Sequence, residues 1–229
     1  MGGWDDRELE LSLYPSSHPP IIPSSYPPTP SHPIMRIAVI ATVAILGITT
    51  TSQSQQPAIR PAAWQIAASV TPLPEELKAG ATVLGYKEGT TGLVTLRAGK
   101  NDMICLAPEP AAKDFHSACY HKAMEPFMER GRSLRATGVK GAQVDTVRFA
   151  EVKSGKLKVP AQPSVLYQIF GGKFDEGTGK VTGGNALFIT YIPFATTEST
   201  GLSSKPSDKS PWLMFPGTPK AHIMFSVSM

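Results

Sequence analysis

Between Ile37 and Ile48 the chain runs through twelve residues dominated by apolar side chains, preceded by the charge of Arg36 and followed by Thr49, Thr50, Thr51 and Ser52. A membrane-crossing helix needs roughly 20 apolar residues, because each adds only about 1.5 Å against a hydrocarbon core of about 30 Å. Twelve are too few. A basic residue, a short apolar run and small polar residues in that order make the three-part pattern of a secretory signal peptide. We therefore read 35–54 as a signal peptide cleaved near Ser52 or Ser54. An uncleaved anchor is the alternative, and it would have to bury Gln53, Gln55 and Gln56 in lipid.

The first 34 residues do not fit an export leader. Asp5, Asp6, Glu8 and Glu10 outweigh Arg7 where basic residues belong, and 15–33 is dominated by Pro, Ser and Tyr, a composition that favours extended polyproline conformations and builds no core. Translation is expected to start at Met35. The competing reading of 1–34 is a disordered tail on an anchored protein.

Export would leave 175 residues, enough for one domain with its own core. These carry 20 basic against 14 acidic side chains, a net charge of +6. The basic residues are dispersed, so no nucleic-acid partner is expected. Cys105 and Cys119 are the two cysteines, an even count suited to an oxidising compartment. A bridge would close a loop of 15 residues; two separate buried thiols are the alternative.

Along the chain, 55–72 reads as a linker with an Ala-rich patch around Trp64, and 73–229 as a single globular domain. Three β-prone runs, 82–87, 93–97 and 103–106, are separated by glycine-containing connections and are expected to form a meander. From Asp114 the pattern Ala118, Cys119, Lys122, Ala123, Phe127 has helical spacing, with Pro126 kinking or restarting the helix. The cysteine bridge would then tie helix to sheet. Segments 139–147 and 149–152 suggest irregular strands; 164–170, 186–193 and 221–227 suggest firmer ones. The expected class is α+β, an antiparallel-leaning sheet with one principal, disulfide-linked helix.

Motifs for chemistry are scarce. Gly177-Thr178-Gly179-Lys180 lacks the earlier glycine and the following Ser or Thr of a phosphate-binding loop, having Phe174 and Val181 at those positions. Gly-x-Ser-x-Gly and His-Glu-x-x-His are absent. The remaining constellation is histidine with methionine: His222 and Met224 share one face of the last strand, and His121 precedes Met124 and Met128. Imidazole and thioether together suit copper, which makes His222, Met224 and His121 the metal candidates. Core packing is the competing role of the methionines.

The stretch Pro211-Trp212-Leu213-Met214-Phe215-Pro216-Gly217-Thr218-Pro219-Lys220-Ala221-His222-Ile223-Met224 resembles the ending of a group of uncharacterised secreted bacterial proteins. Further points of likeness are Gly80-Ala81-Thr82-Val83, Met103-Ile104-Cys105-Leu106, Cys119 and Tyr167-Gln168-Ile169-Phe170-Gly171-Gly172. The resemblance implies export and a bacterial source, and brings no activity. It singles out His222, Trp212 and Met214 as binding candidates. The expected function is an exported domain that binds a ligand or partner without catalysis and without a cofactor. The alternatives are a hydrolase centred on His222 and a periplasmic copper protein using His222 and Met224.

Overall fold

A computed structural model describes residues 58–227, and the signal peptide and leader expected at 35–54 and 1–34 lie outside the described residues. The strands are β1 (Thr82–Gly85), β2 (Val94–Arg97), β3 (Met103–Leu106), β4 (His116–His121), β5 (Ser164–Phe170), β6 (Lys173–Asp175), β7 (Lys180–Thr182), β8 (Asn185–Tyr191), β9 (Trp212–Met214) and β10 (His222–Val227). Eight of them form one sheet in the order β2-β1-β3-β4-β5-β8-β10-β9, and β6 and β7 form a separate hairpin. Every pairing in the large sheet is antiparallel except β1 with β3. The helices are α1 (Ala62–Ser69), α2 (Glu75–Lys78), a 3-10 turn (Lys122–Met124), α3 (Glu125–Ala136), α4 (Ala142–Lys153) and α5 (Thr197–Thr200). The class is α+β with a mostly antiparallel sheet; two twelve-residue helices, α3 and α4, share the place expected for one.

The expected meander does not form, because β3 passes β2 and pairs parallel to β1 on its other side. The connection from β2 folds back across the start of β1: Lys100 and Asn101 donate backbone N–H groups to Gly80 O at 2.6 and 3.0 Å. Gly99 makes this crossing possible, since a Cβ there would stand 2.3 Å from the Thr82 nitrogen.

Cys119 lies on a strand, where a helix was expected. Ser117, Ala118, Cys119 and Tyr120 are all buried, because β4 is central in the sheet and covered on both faces. A strand covered on both sides loses the polar alternation that identifies it. Cys105 and Cys119 are directly opposed in the β3–β4 pair and form a disulfide, so the bridge staples two neighbouring strands. The helix begins only at Glu125, and Pro126 sits in its first turn, where its missing N–H costs nothing.

A second correction concerns 139–152, expected as strands and folded mainly as α4. Val144 and Arg148, one turn apart, are its buried residues. A charged residue on the inner face conceals helical periodicity, and the β-branched valines point the other way. Arg130 of α3 grips Glu151 of α4 through Nε at 2.8 Å and Nη2 at 2.5 Å. Arg132 donates to Tyr120 Oη at 2.7 Å and to Glu125 Oε1 at 2.5 Å, fixing α3 to β4.

Two apolar clusters result, one on each side of the sheet. Tyr120, Leu166, Ile189 and Met224 meet Met124 and Met128 of the α3 layer. On the opposite side Val83, Met103, Cys105 and Cys119 pack with Val70 and Leu73. α1 lies within the segment read as a linker and belongs to this second layer. Gln65 donates to Arg60 O and Tyr86 O and accepts from Tyr86 N, and Ser117 Oγ donates to Ser69 O at 2.7 Å. The β6–β7 hairpin docks beside it, with the Phe174 ring edge-on to Trp64 at 5.5 Å.

Candidate functional site

The densest polar chemistry of the described residues lies between α4 and the β9–β10 pair. α4 carries Asp145 and Arg148 three residues apart on the side facing the sheet, and the turn before β10 supplies Lys220. The Asp145 carboxylate accepts from Arg148 Nη2 and, at 2.9 Å, from Lys220 Nζ. Arg148 Nη1 also donates to Phe127 O at 3.2 Å, and its guanidinium lies 4.0 Å from the centroid of the Phe127 ring. Lys220 Nζ stands 4.5 Å over the Phe215 ring. Burial opposes ionisation of Asp145, but the two cations outweigh it and hold the carboxyl below its ordinary range.

His222 completes the cluster and has no exposed surface. Its Nδ1 lies 2.6 Å from Lys220 O. A carbonyl only accepts, so Nδ1 carries the proton and Nε2 keeps a lone pair. Burial pushes the imidazole pKa down to about 4, aided by the Lys220 charge, so the ring is neutral at physiological pH. Tyr191 and Phe215 flank it, with ring centroids at 4.8 and 5.7 Å. Phe215 holds a φ of 53°, a left-handed conformation that costs roughly 1–2 kcal/mol for a residue with a side chain. Its ring contacts with Lys220 and His222 offset that strain.

Four of the residues singled out from the sequence come together here. His222 is directly opposite Met214, and Met224 directly opposite Trp212, all on the α4 side of the sheet. His121 does not join them. It ends β4, two strands removed from β10 by the intervening β5 and β8, and faces the opposite side with Cys119. There its Nδ1 accepts from Ala123 N, and its Nε2 is 3.8 Å from Asp102 Oδ2. Asp145, Arg148 and Lys220 escape the sequence reading. The i,i+3 spacing of Asp145 and Arg148 was their only signal, and it means something only once the segment is known to be helical. Among the described residues, no group of three or more His, Cys, Asp or Glu side chains is placed to hold a metal. A separate cleft of about 20 Å³, room for about one water, is lined by Leu106, Ala107, Glu109, His116 and Ala118.

The other side of the same strands is only partly covered. Tyr167, Phe188 and Phe225 are in register across β5, β8 and β10 and form a lateral aromatic row. Tyr167 and Phe188 meet edge to face at 5.4 Å. Phe188 and Phe225 keep 36% and 38% of their surface in solvent, although the opposite face of their strands is buried. On this side α1 packs over β1, β2 and β4. No protein-family model, curated protein or solved structure matches the chain.

Proposed function

We propose that the chain is exported to the periplasm or the extracellular space and acts there as a non-enzymatic binding domain. The observation that carries the binding reading is the aromatic row Tyr167–Phe188–Phe225, in which Phe188 and Phe225 are exposed and Tyr167 half-buried, set against a histidine cluster closed to solvent. Aromatic side chains offer large contact area at a small entropic cost, and they recur at the centres of interfaces. A hydrolase centred on His222 would need substrate to reach a ring that has no exposed surface.

Export rests on the signal-peptide pattern at 35–54. The Cys105–Cys119 disulfide is compatible with it, and among the described residues no helix is long and apolar enough to cross a membrane. The two parts have separate tests. N-terminal sequencing of the native protein should find a chain beginning near Ser52–Gln55; a mature chain retaining Trp4 contradicts signal cleavage and a start at Met35. For binding, wild type and Phe188→Ser/Phe225→Ser, each immobilised and matched by circular dichroism, should differ in what they retain from the exported fraction. Retention by the wild type and its loss in the double variant is the expected result. Ester or peptide hydrolysis that disappears with His222→Ala would contradict the non-enzymatic reading.

A further inference from the structure

His222 Nε2 is buried and has no hydrogen-bond partner. An orphaned buried acceptor costs roughly 1–3 kcal/mol, and its surroundings indicate what would satisfy it. The ring lies tilted 30° from the Tyr191 ring on the neighbouring strand, 4.8 Å away between centroids. With Nδ1 held by Lys220 O, Nε2 is the ring nitrogen left for another partner. Met214 stands directly across from His222, and Met224 follows it on the same face. Side chains so related have Cβ atoms roughly 5–7 Å apart, within converging reach for two methionines and one histidine.

The donor set has a definite chemistry. An imidazole whose Nδ1–H is anchored to a backbone carbonyl has its tautomer and orientation fixed as in metal-bound histidines. Two thioethers in an apolar enclosure are soft ligands, suited to monovalent copper and poorly matched to zinc, magnesium or calcium. Nearby, Asp145 is already shared between Lys220 and Arg148, leaving the neighbourhood net positive and unfavourable to a divalent ion. We propose that His222 Nε2, Met214 Sδ and Met224 Sδ bind one monovalent copper ion between the β9–β10 pair and the helical layer.

This site stands apart from the aromatic row, which lies on the other face of the sheet. The test uses tag-free, disulfide-intact protein under anaerobic conditions, titrated with copper(I) against a chromogenic chelator. Wild type should withdraw one equivalent, and X-ray absorption should show one nitrogen and two sulfur neighbours. Met214→Leu/Met224→Leu keeps core volume nearly constant and should retain its thermal stability while losing affinity by at least about a hundredfold. The Phe188→Ser/Phe225→Ser protein should bind copper like wild type, so failure of either proposal is visible separately. Absence of copper transfer to the wild type, or undiminished affinity in the double leucine variant, would overturn the site.

Discussion

Asp145 is the hinge of the buried cluster, since its carboxylate pairs with two cations, Arg148 and Lys220. Replacing it by Asn keeps the shape and removes the carboxylate that both cations bind. Breaking a buried pair in this way costs about 3–5 kcal/mol; with Asp145 still partly solvated, a loss of about 2–3 kcal/mol at pH 7 is expected. The pH dependence follows from the lowered carboxyl pKa. A carboxyl that ionises more readily when folded stabilises fully above its unfolded pKa, near 3.8, and that contribution fades as pH falls through the lower folded value. Denaturant titrations of wild type and Asp145→Asn should therefore lie far apart at pH 7 and converge below pH 3.8. A gap that stays constant with pH would assign the loss to packing. At this scale the sequence exposed His222, Trp212 and Met214, because they fall in one distinctive stretch. It hid Asp145 and Arg148, because their partner Lys220 is 75 residues from the carboxylate it holds.

Elements that alternate or run in isolation were legible, and those covered on both sides were not. The run 164–170 was read with its observed bounds, and β8 and β10 begin within one residue of expectation. β4 was mistaken for helix because four consecutive buried residues carry no period of two, and three-residue β9 is too short to carry any period. The misplacement of β4 changes what the disulfide does: it locks a strand pair already joined by backbone hydrogen bonds. Its contribution still comes largely from restricting the unfolded chain, roughly 3 kcal/mol for a loop of this length. Cys105→Ala/Cys119→Ala should accordingly lower the denaturation free energy by about that amount and leave the circular dichroism spectrum unchanged. A loss below about 1 kcal/mol would mean that the strand pairing constrains the ends of this loop even in the denatured ensemble.

For the whole molecule, the decisive property is the unequal covering of the sheet. One side is closed by α3, α4 and a core rich in methionine, and the other is capped by α1 over one half while β8 and β10 keep aromatic rings in solvent. Composition could not reveal this, since Phe188 and Phe225 look like ordinary core positions until the helices are assigned to sides. Nor did the sequence show that the residues around Trp64 form a helix that docks. In the proposed reading, binding belongs to the partly open half, and structure, or a soft metal, to the closed one. Site-specific photo-crosslinking in the native exported compartment tests this division most directly, using a photoreactive amino acid at Phe188, at Phe225 and, as controls, at the exposed positions Lys113 and Lys209. The account predicts a discrete crosslinked species from Phe188 and Phe225 and none from the controls. Equal crosslinking from all four positions, or none from the aromatic pair, would contradict it.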